Sequence, residues 1–383
     1  MKRPAGLYIH VPFCRSKCPY CDFVSGPASE ETVARYMRSL KKELRYWSSE
    51  MGMKGVVFQS LYVGGGTPTA VAPEILSEIL FEAFELFDWV DQAEATVEAN
   101  PESVDKRGLE MFKKAGVNRI SLGMQALSEK GLRVLGRLHD VNSSVRAFEI
   151  VRDLGFGSVS VDLIYGWPGQ EISSWKKELE SVISLGPDHI SCYELTVERG
   201  TRLHKDLSRG RIALPEEDII LKMMDVTETE LKAAGYVHYE ISNYALPGKE
   251  CVHNLGYWTA KPYVGVGVSA ASFLPPLRMK QVDDLNSYIR NIESGNISPE
   301  FVEVLSRDKL FREAVVFGLR KVEGIDTGKM KQTWGDDPVE YYGDELKKLI
   351  DSGLMKFSSA GKSMLRLTKR GRRVSNFVFA QLV

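Results

Sequence analysis

Leu7-Tyr8-Ile9-His10-Val11-Pro12-Phe13-Cys14-Arg15-Ser16-Lys17-Cys18-Pro19-Tyr20-Cys21 sets a short apolar strand directly before three cysteines in eight residues. Three thiolates so spaced can wrap one metal centre from a single loop, because consecutive sulfurs converge when the backbone turns between them. A structural zinc site wants four tetrahedral ligands, and the remaining cysteines, Cys192 and Cys251, stand alone with no second CxxC knuckle. A [4Fe–4S] cluster also usually takes four cysteines. With three, one iron is left to bind something else. Zinc and accidental clustering are the alternatives. Five cysteines, an odd number with three bunched together, argue against a disulfide framework and for a reducing compartment, so a cytoplasmic location is expected.

Outward from this loop, the first 200 residues alternate short apolar strands with amphipathic helices, the pattern of βα units in a parallel sheet. Six strands are expected, at 7–11, 56–63, 94–99, 119–124, 158–165 and 189–195, with no tight hairpin signal between neighbours. Val33, Tyr36, Met37, Leu40, Leu44 and Trp47 form one helical stripe; Leu76, Ile79, Leu80 and Phe87 a second; Val145, Phe148, Val151 and Leu154 a third. Periodicity does not separate a doubly wound sheet from part of a barrel. A helix is expected over 215–235, and the Tyr-, His- and Gly-rich stretch 236–273 reads as loop with short strands.

The whole chain, 383 residues with 50 Lys+Arg against 51 Asp+Glu, has a formal charge of −1 and demands neither an acidic nor a basic partner. At 43% hydrophobic and 26% charged it has globular composition, and its length lets it bury about three-quarters of its unfolded surface. No stretch reaches the roughly 20 apolar residues of a membrane span, and residues 1–6 run into the first strand without a signal-peptide core. Residues 306–383 carry 16 Lys/Arg and 10 Asp/Glu, so +6, leaving −7 for 1–305. A helix at 339–350, a strand at 354–357, a turn at 358–361, a strand at 364–367 and a basic helix after Lys369 outline a small winged-helix-like α+β domain. No recognition helix stands out, so nucleic acid is not an expected partner. The expected division is 1–235, core barrel; 236–305, an extension completing the core; and 306–383, the C-terminal domain.

The loop Cys14-x3-Cys18-x2-Cys21 resembles that of the radical S-adenosylmethionine (SAM) superfamily. The resemblance implies a partial (β/α)6 TIM-like barrel with the loop after the first strand. It also implies a [4Fe–4S] cluster on Cys14, Cys18 and Cys21, whose open iron takes the amino and carboxylate groups of SAM, and an electron donor. Further segments resemble the branch that contains anaerobic coproporphyrinogen oxidase and the heme chaperone HemW. Tyr8 in Tyr8-Ile9-His10-Val11-Pro12-Phe13 matches a SAM-contacting tyrosine, and Gly65, Gly66 and Thr67 of Gly64-Gly65-Gly66-Thr67-Pro68 match contacts to the methionine part. Glu98, Gln125, Arg137 and Asp162, at or near the ends of successive strands, match further SAM positions, and Tyr20 an aromatic position near a second SAM.

Within that branch the oxidase carries another cysteine two residues past the third and a long N-terminal extension. Here Phe23 holds that position and 13 residues precede Cys14. With His253-Asn254-Leu255-Gly256-Tyr257-Trp258, which resembles an HNxxYW segment, these features imply the heme-chaperone group. That group binds heme and passes it to an acceptor hemoprotein, and His253 is a candidate heme ligand, with Cys251 as a second. Val264-Gly265-Val266-Gly267-Val268-Ser269-Ala270-Ala271-Ser272 departs from the group's GxGxGAHS, with Ala271 in place of histidine, and is closer to the oxidase. The alternative function is oxygen-independent decarboxylation of a porphyrinogen, coproporphyrinogen III.

Overall fold

The computed structural model describes residues 4–49, 53, 55–358 and 363–383. Residues 1–3 of the N-terminal segment and 359–361 of the turn expected at 358–361 lie outside them. The six expected strands are present as β1 (Pro4–Val11), β2 (Val57–Gly65), β3 (Trp89–Ala99), β4 (Arg119–Gln125), β5 (Ser158–Tyr165) and β6 (His189–Glu194), each parallel to the next. The inner strands are buried on both faces, and six of the seven residues of β4 are buried.

Strand order resolves what periodicity left open. The strands lie side by side in chain order, without the reversal that defines a doubly wound sheet. Right-handed crossovers in a constant direction put successive helices on one face. Accordingly, Glu30–Ser49 packs on Pro73–Leu86, and Pro73–Leu86 on Lys106–Lys114. The stripe Tyr36, Met37, Leu40, Leu44 and Trp47 faces the sheet, fully buried.

The stretch 236–273 is more ordered than its sequence suggests. β7 (Val237–Glu240) and β8 (Asn243–Ala245) form a hairpin antiparallel to β6, while β9 (Tyr263–Val266) returns to lie parallel to β1. β10 (Ala271–Leu274), β11 (Leu277–Lys280) and β12 (Phe301–Val304) continue antiparallel from β9. Among the described residues the result is a mixed twelve-stranded sheet, with β12 and β7 at its edges and no pairing that closes a ring.

Residues 307–382 build a second core around Phe311, Val315, Leu346, Leu365 and Val378. Met364–Leu367 is the central strand between Ile325–Asp326 and Met355–Phe357. The helix expected at 339–350 is two, Pro338–Tyr342 and Asp344–Asp351, separated at Gly343. The basic helix Lys369–Arg373 turns three of its four charges to acidic partners. Lys369 meets Asp225 at 2.6 Å, Arg372 meets Glu228 at 3.1 Å, and Arg373 also holds Asp225. The positive C-terminal segment is thus partly neutralised by the acidic N-terminal one.

Candidate functional site

The C-terminal ends of β1 to β6 open into a cavity of about 480 Å³, at the end of the barrel where active sites collect. The loop 14–26 forms one wall. Its base is closed by Cys14 N–H donating to Gly26 O at 3.1 Å and Gly26 N–H donating to Pro12 O at 2.9 Å. His10 braces it from β1. Val24 O can only accept, so His10 Nε2 carries the proton and donates at 3.0 Å, which leaves Nδ1 to accept from Tyr8 OH at 3.0 Å. Burial holds the His10 pKa down, in agreement with a neutral ring. On its far side the loop is pinned by Leu203 N–H donating to Pro19 O at 2.8 Å and by Tyr20 packing with Leu135 and Leu203.

The end of β2 shows why three glycines stand together. A Cβ on Gly66 would lie 2.6 Å from Phe13 O, and one on Gly65 2.4 Å from the His10 ring, where φ is also +110°. The glycines therefore admit the cysteine loop's own base. Thr67 follows, and its hydroxyl reaches Cys14 Sγ at 3.6 Å while accepting from Asn100 Nδ2 at 2.8 Å. Burial pushes the Cys14 thiol up, and the Thr67 and Ser25 hydroxyls pull the other way. Arg137 Nη1 lies 3.3 Å from Cys18 Sγ and Nη2 donates to Gly123 O at 3.2 Å, while Nε is buried with no hydrogen-bond partner among the described residues.

Carboxylates dominate the remaining wall. Glu98 accepts from Tyr62 OH at 2.7 Å and Gly65 N–H at 3.2 Å, and burial, with Asp162 adding to it, raises its pKa to about 7. Asp162 accepts from Ser121 Oγ at 3.0 Å and is pushed up by burial. Glu102, bonded to His139 at 2.8 Å, and the cavity-lining Glu194 and Glu198 complete the fence. Gln125 enters it from a left-handed backbone, φ +65°, where the β4–β5 register slips, a bulge that re-aims the side chain.

The cavity thus gathers Cys14, Cys18, Cys21, Tyr20, Gly65, Gly66, Thr67, Glu98, Gln125, Arg137 and Asp162. Two expected residues stand elsewhere. Tyr8 stacks behind Tyr62, ring centroids 6.3 Å apart, and faces a second cavity of about 540 Å³ with Tyr257 and Tyr263. His253 is 3% exposed, with Nδ1 bonded to Ser60 Oγ at 2.9 Å and Nε2 to Tyr257 OH at 2.9 Å. Burial lowers its pKa to about 3, and neither nitrogen is free for a metal. Cys251 is buried too, its thiol donating to Glu94 Oε1 at 3.5 Å. Sequence reasoning passed over Tyr62, Glu102, Tyr193 and Glu194; Tyr62 lies within β2 and the others at or just beyond a strand end, and their place in the cavity shows only once register is known.

All five cysteines are free thiols. Among the described residues no three His, Cys, Asp or Glu side chains converge on one point as a single metal ion requires. Three half-exposed thiols around one cavity suit a cluster, which offers each sulfur its own iron, better than a zinc ion. Residues 8–182 match the radical SAM superfamily and residues 305–374 the HemN C-terminal domain. Heme chaperone HemW of Bacillus subtilis is 31% identical over 97% of each chain, and that of Mycobacterium tuberculosis 33% identical over 90% of each. The chain belongs to the HemW family of radical SAM proteins. Another relative, a mitochondrial radical SAM domain-containing protein of Danio rerio, is 33% identical over 84% of this chain and 74% of its own. The solved structure of coproporphyrinogen III oxidase (HemN) from Escherichia coli superposes with a TM-score of 0.86 over 100% of this chain and 90% of that one, at 24% identity. The chain therefore has the radical SAM core, a TIM-like α/β fold that stays open, followed by a C-terminal domain. Membership of the superfamily carries with it a [4Fe–4S] cluster and SAM. No helix among the described residues is long and apolar enough to cross a membrane.

Proposed function

We propose that this protein is a heme chaperone that binds a [4Fe–4S] cluster and SAM, accepts heme and passes it to an acceptor hemoprotein. Cys14, Cys18 and Cys21 hold the cluster, which supplies one-electron chemistry when bound. Thr67 and Arg137 donate toward the sulfurs of Cys14 and Cys18 and favour their thiolate forms. Gly65, Gly66, Thr67, Glu98, Gln125, Arg137 and Asp162 form the SAM site, with Tyr20 as an aromatic wall and Tyr8 supporting it from behind. His253 fixes the helix Val252–Trp258 on β1 and β2 rather than ligating iron. The division at 235 and 305 and a reducing, cytoplasmic location belong to the same reading.

The observation that carries the choice of chaperone over oxidase is the cavity's charge. Asp22, Glu98, Glu102, Asp162, Glu194 and Glu198 line the cavity against three cations, exposed Arg15 and Lys17 and buried Arg137. That wall suits the sulfonium and ammonium of SAM and opposes the four carboxylates of coproporphyrinogen III, since like charges at close range in a poorly solvated site repel strongly. The names of the relatives point the same way. Anaerobic reconstitution followed by heme titration tests the proposal: a Soret shift and transfer to an apo-hemoprotein are expected. Protoporphyrinogen formed over many turnovers from coproporphyrinogen III, SAM and a reductant would reverse it.

A further inference from the structure

The cysteine loop has a second, outward face whose charge is opposite to that of the cavity. Cys18 and Cys21 also border a groove of about 450 Å³ with Lys17, Arg199 and Arg202. In it lie the loop and the start of the helix Arg202–Ser208, joined by the Leu203 to Pro19 backbone bond of 2.8 Å. Leu203 is buried beneath Tyr20, so the opposite side of this helix faces solvent. Arg202, Lys205 and Arg209, at i, i+3 and i+7, share that exposed side. The groove and this helix end together hold Lys17, Arg199, Arg202, Lys205, Arg209 and Arg211 against Asp22 and Asp206, +4 within a region 1–305 that totals −7. Among the described residues Arg202 and Arg211 meet Asp206 at 3.7 and 3.1 Å, and no ion pair takes Lys17, Arg199, Lys205 or Arg209. Such a patch is a directed field rather than a neutralised surface.

We propose that this face docks an acidic one-electron carrier, a small protein whose negatively charged surface surrounds a flavin or iron–sulfur centre. The inference rests on the cluster reading above and names the partner for it. A cluster held by Cys14, Cys18 and Cys21 must be reduced from outside: the carrier loses one electron, the cluster gains it, and no bond is made or broken. The cavity side is occupied by the SAM site and fenced by carboxylates, which repel an acidic protein. The groove side brings such a protein directly against Cys18 and Cys21, which line it. Charge complementarity of this kind acts chiefly on the association rate and is screened by salt.

The test uses the full-length protein, reconstituted anaerobically, mixed in a stopped-flow instrument with a reduced acidic ferredoxin, and follows bleaching of the cluster absorption. Photoreduced deazaflavin serves as a reductant without a protein surface. The expected result is a bimolecular rate that falls with ionic strength, and at low salt at least a tenfold slower rate for the R199E/K205E/R209E variant. Reduction by deazaflavin and the Soret response to heme should match wild type in the same variant. A carrier rate indifferent to both salt and charge reversal overturns the docking surface while leaving the chaperone reading in place. So does charge reversal that spares the carrier rate but lowers heme delivery to an apo-hemoprotein or retention on anionic lipid vesicles, since the face then serves another partner. Absence of any cluster to bleach, in wild type with either reductant, removes both the surface and the reading beneath it.

Discussion

The cysteine-loop cavity and the His253 cluster lie on neighbouring parts of the same sheet, and both are rich in groups able to bind metal. One is open and incomplete; the other is closed and satisfied. Around the cavity three thiols stand half-exposed, a guanidinium nitrogen is buried without a partner, and a carboxyl group is raised to about 7. At His253 the polar atoms have mates: Ser60 and Tyr257 on the ring, and Glu94 on the backbone N–H groups of Val252 and His253 at 3.1 and 3.0 Å. Buried polar groups are ordinarily satisfied, so the unpartnered nitrogen of the cavity-lining Arg137 points to a ligand, and the finished pairing of the His253 ring points to structure.

The largest expected effect breaks the open side outright. Replacing Cys14, Cys18 or Cys21 by Ser should abolish the iron–sulfur chromophore and iron content, whereas Cys192→Ser, at a buried position in β6, should keep both. A full cluster in the Cys18→Ser protein would refute the ligand assignment. Next is Arg137→Ala, which deletes a cation bonded to Cys18 and Gly123. A hydrogen bond to a charged group contributes about 1.5–3 kcal/mol, so SAM affinity by calorimetry should fall roughly tenfold to a hundredfold. Arg137→Lys should recover little of it, because an ammonium cannot reproduce the fork that reaches sulfur and carbonyl together.

Glu98 sharpens the comparison through pH. Its carboxyl is raised from an ordinary 4.5 to about 7, so it is largely protonated at pH 6 and largely ionised at pH 8. A cationic ligand prefers the ionised form, and SAM affinity should therefore climb several-fold, up to about tenfold, across that interval and level off above it. Folding stability has the opposite slope. A carboxyl group whose folded pKa is raised contributes stability below its unfolded pKa and loses that contribution as pH rises through the folded one, here between 4.5 and about 7. Glu98→Gln should flatten both curves; a pH dependence of SAM binding that survives the substitution would assign it to another group.

How much of this was legible in the sequence follows the same division. β1 to β6 were readable because each carries a short buried apolar segment between amphipathic helices, and the cysteine loop because three thiols at fixed intervals seldom arise by chance. The edges were not. β7 and β8 are four and three residues long, too short for a period, and β9 finds its partner β1 more than 250 residues away. Gly265 gives no hint in isolation that Ala271 O would lie 2.1 Å from an added Cβ. Tyr62 reads as one more strand residue until register sets its hydroxyl on Glu98. His253 was misleading for the converse reason: a histidine among aromatic residues has the composition of a heme site whether its nitrogens are free or taken, and only coordinates distinguish the two.

The smallest effect on cargo is expected at that histidine. His253→Ala removes a ring stacked on Tyr62 at 5.1 Å and edge-on to Tyr257 at 4.9 Å, and it orphans the buried Ser60 and Tyr257 hydroxyls. An unsatisfied buried group costs about 1–3 kcal/mol, so the denaturation midpoint should drop clearly while the chromophore and the heme titration remain. His253→Gln can restore one of the two bonds and should recover part of the stability. The discriminating pattern is the pairing of readouts: a ligand would lose heme binding at unchanged stability, whereas a brace loses stability at unchanged heme binding. If heme affinity falls in both variants while the midpoint holds, the ring must leave Ser60 or Tyr257 when heme arrives, and the closed cluster is the resting form of a second site.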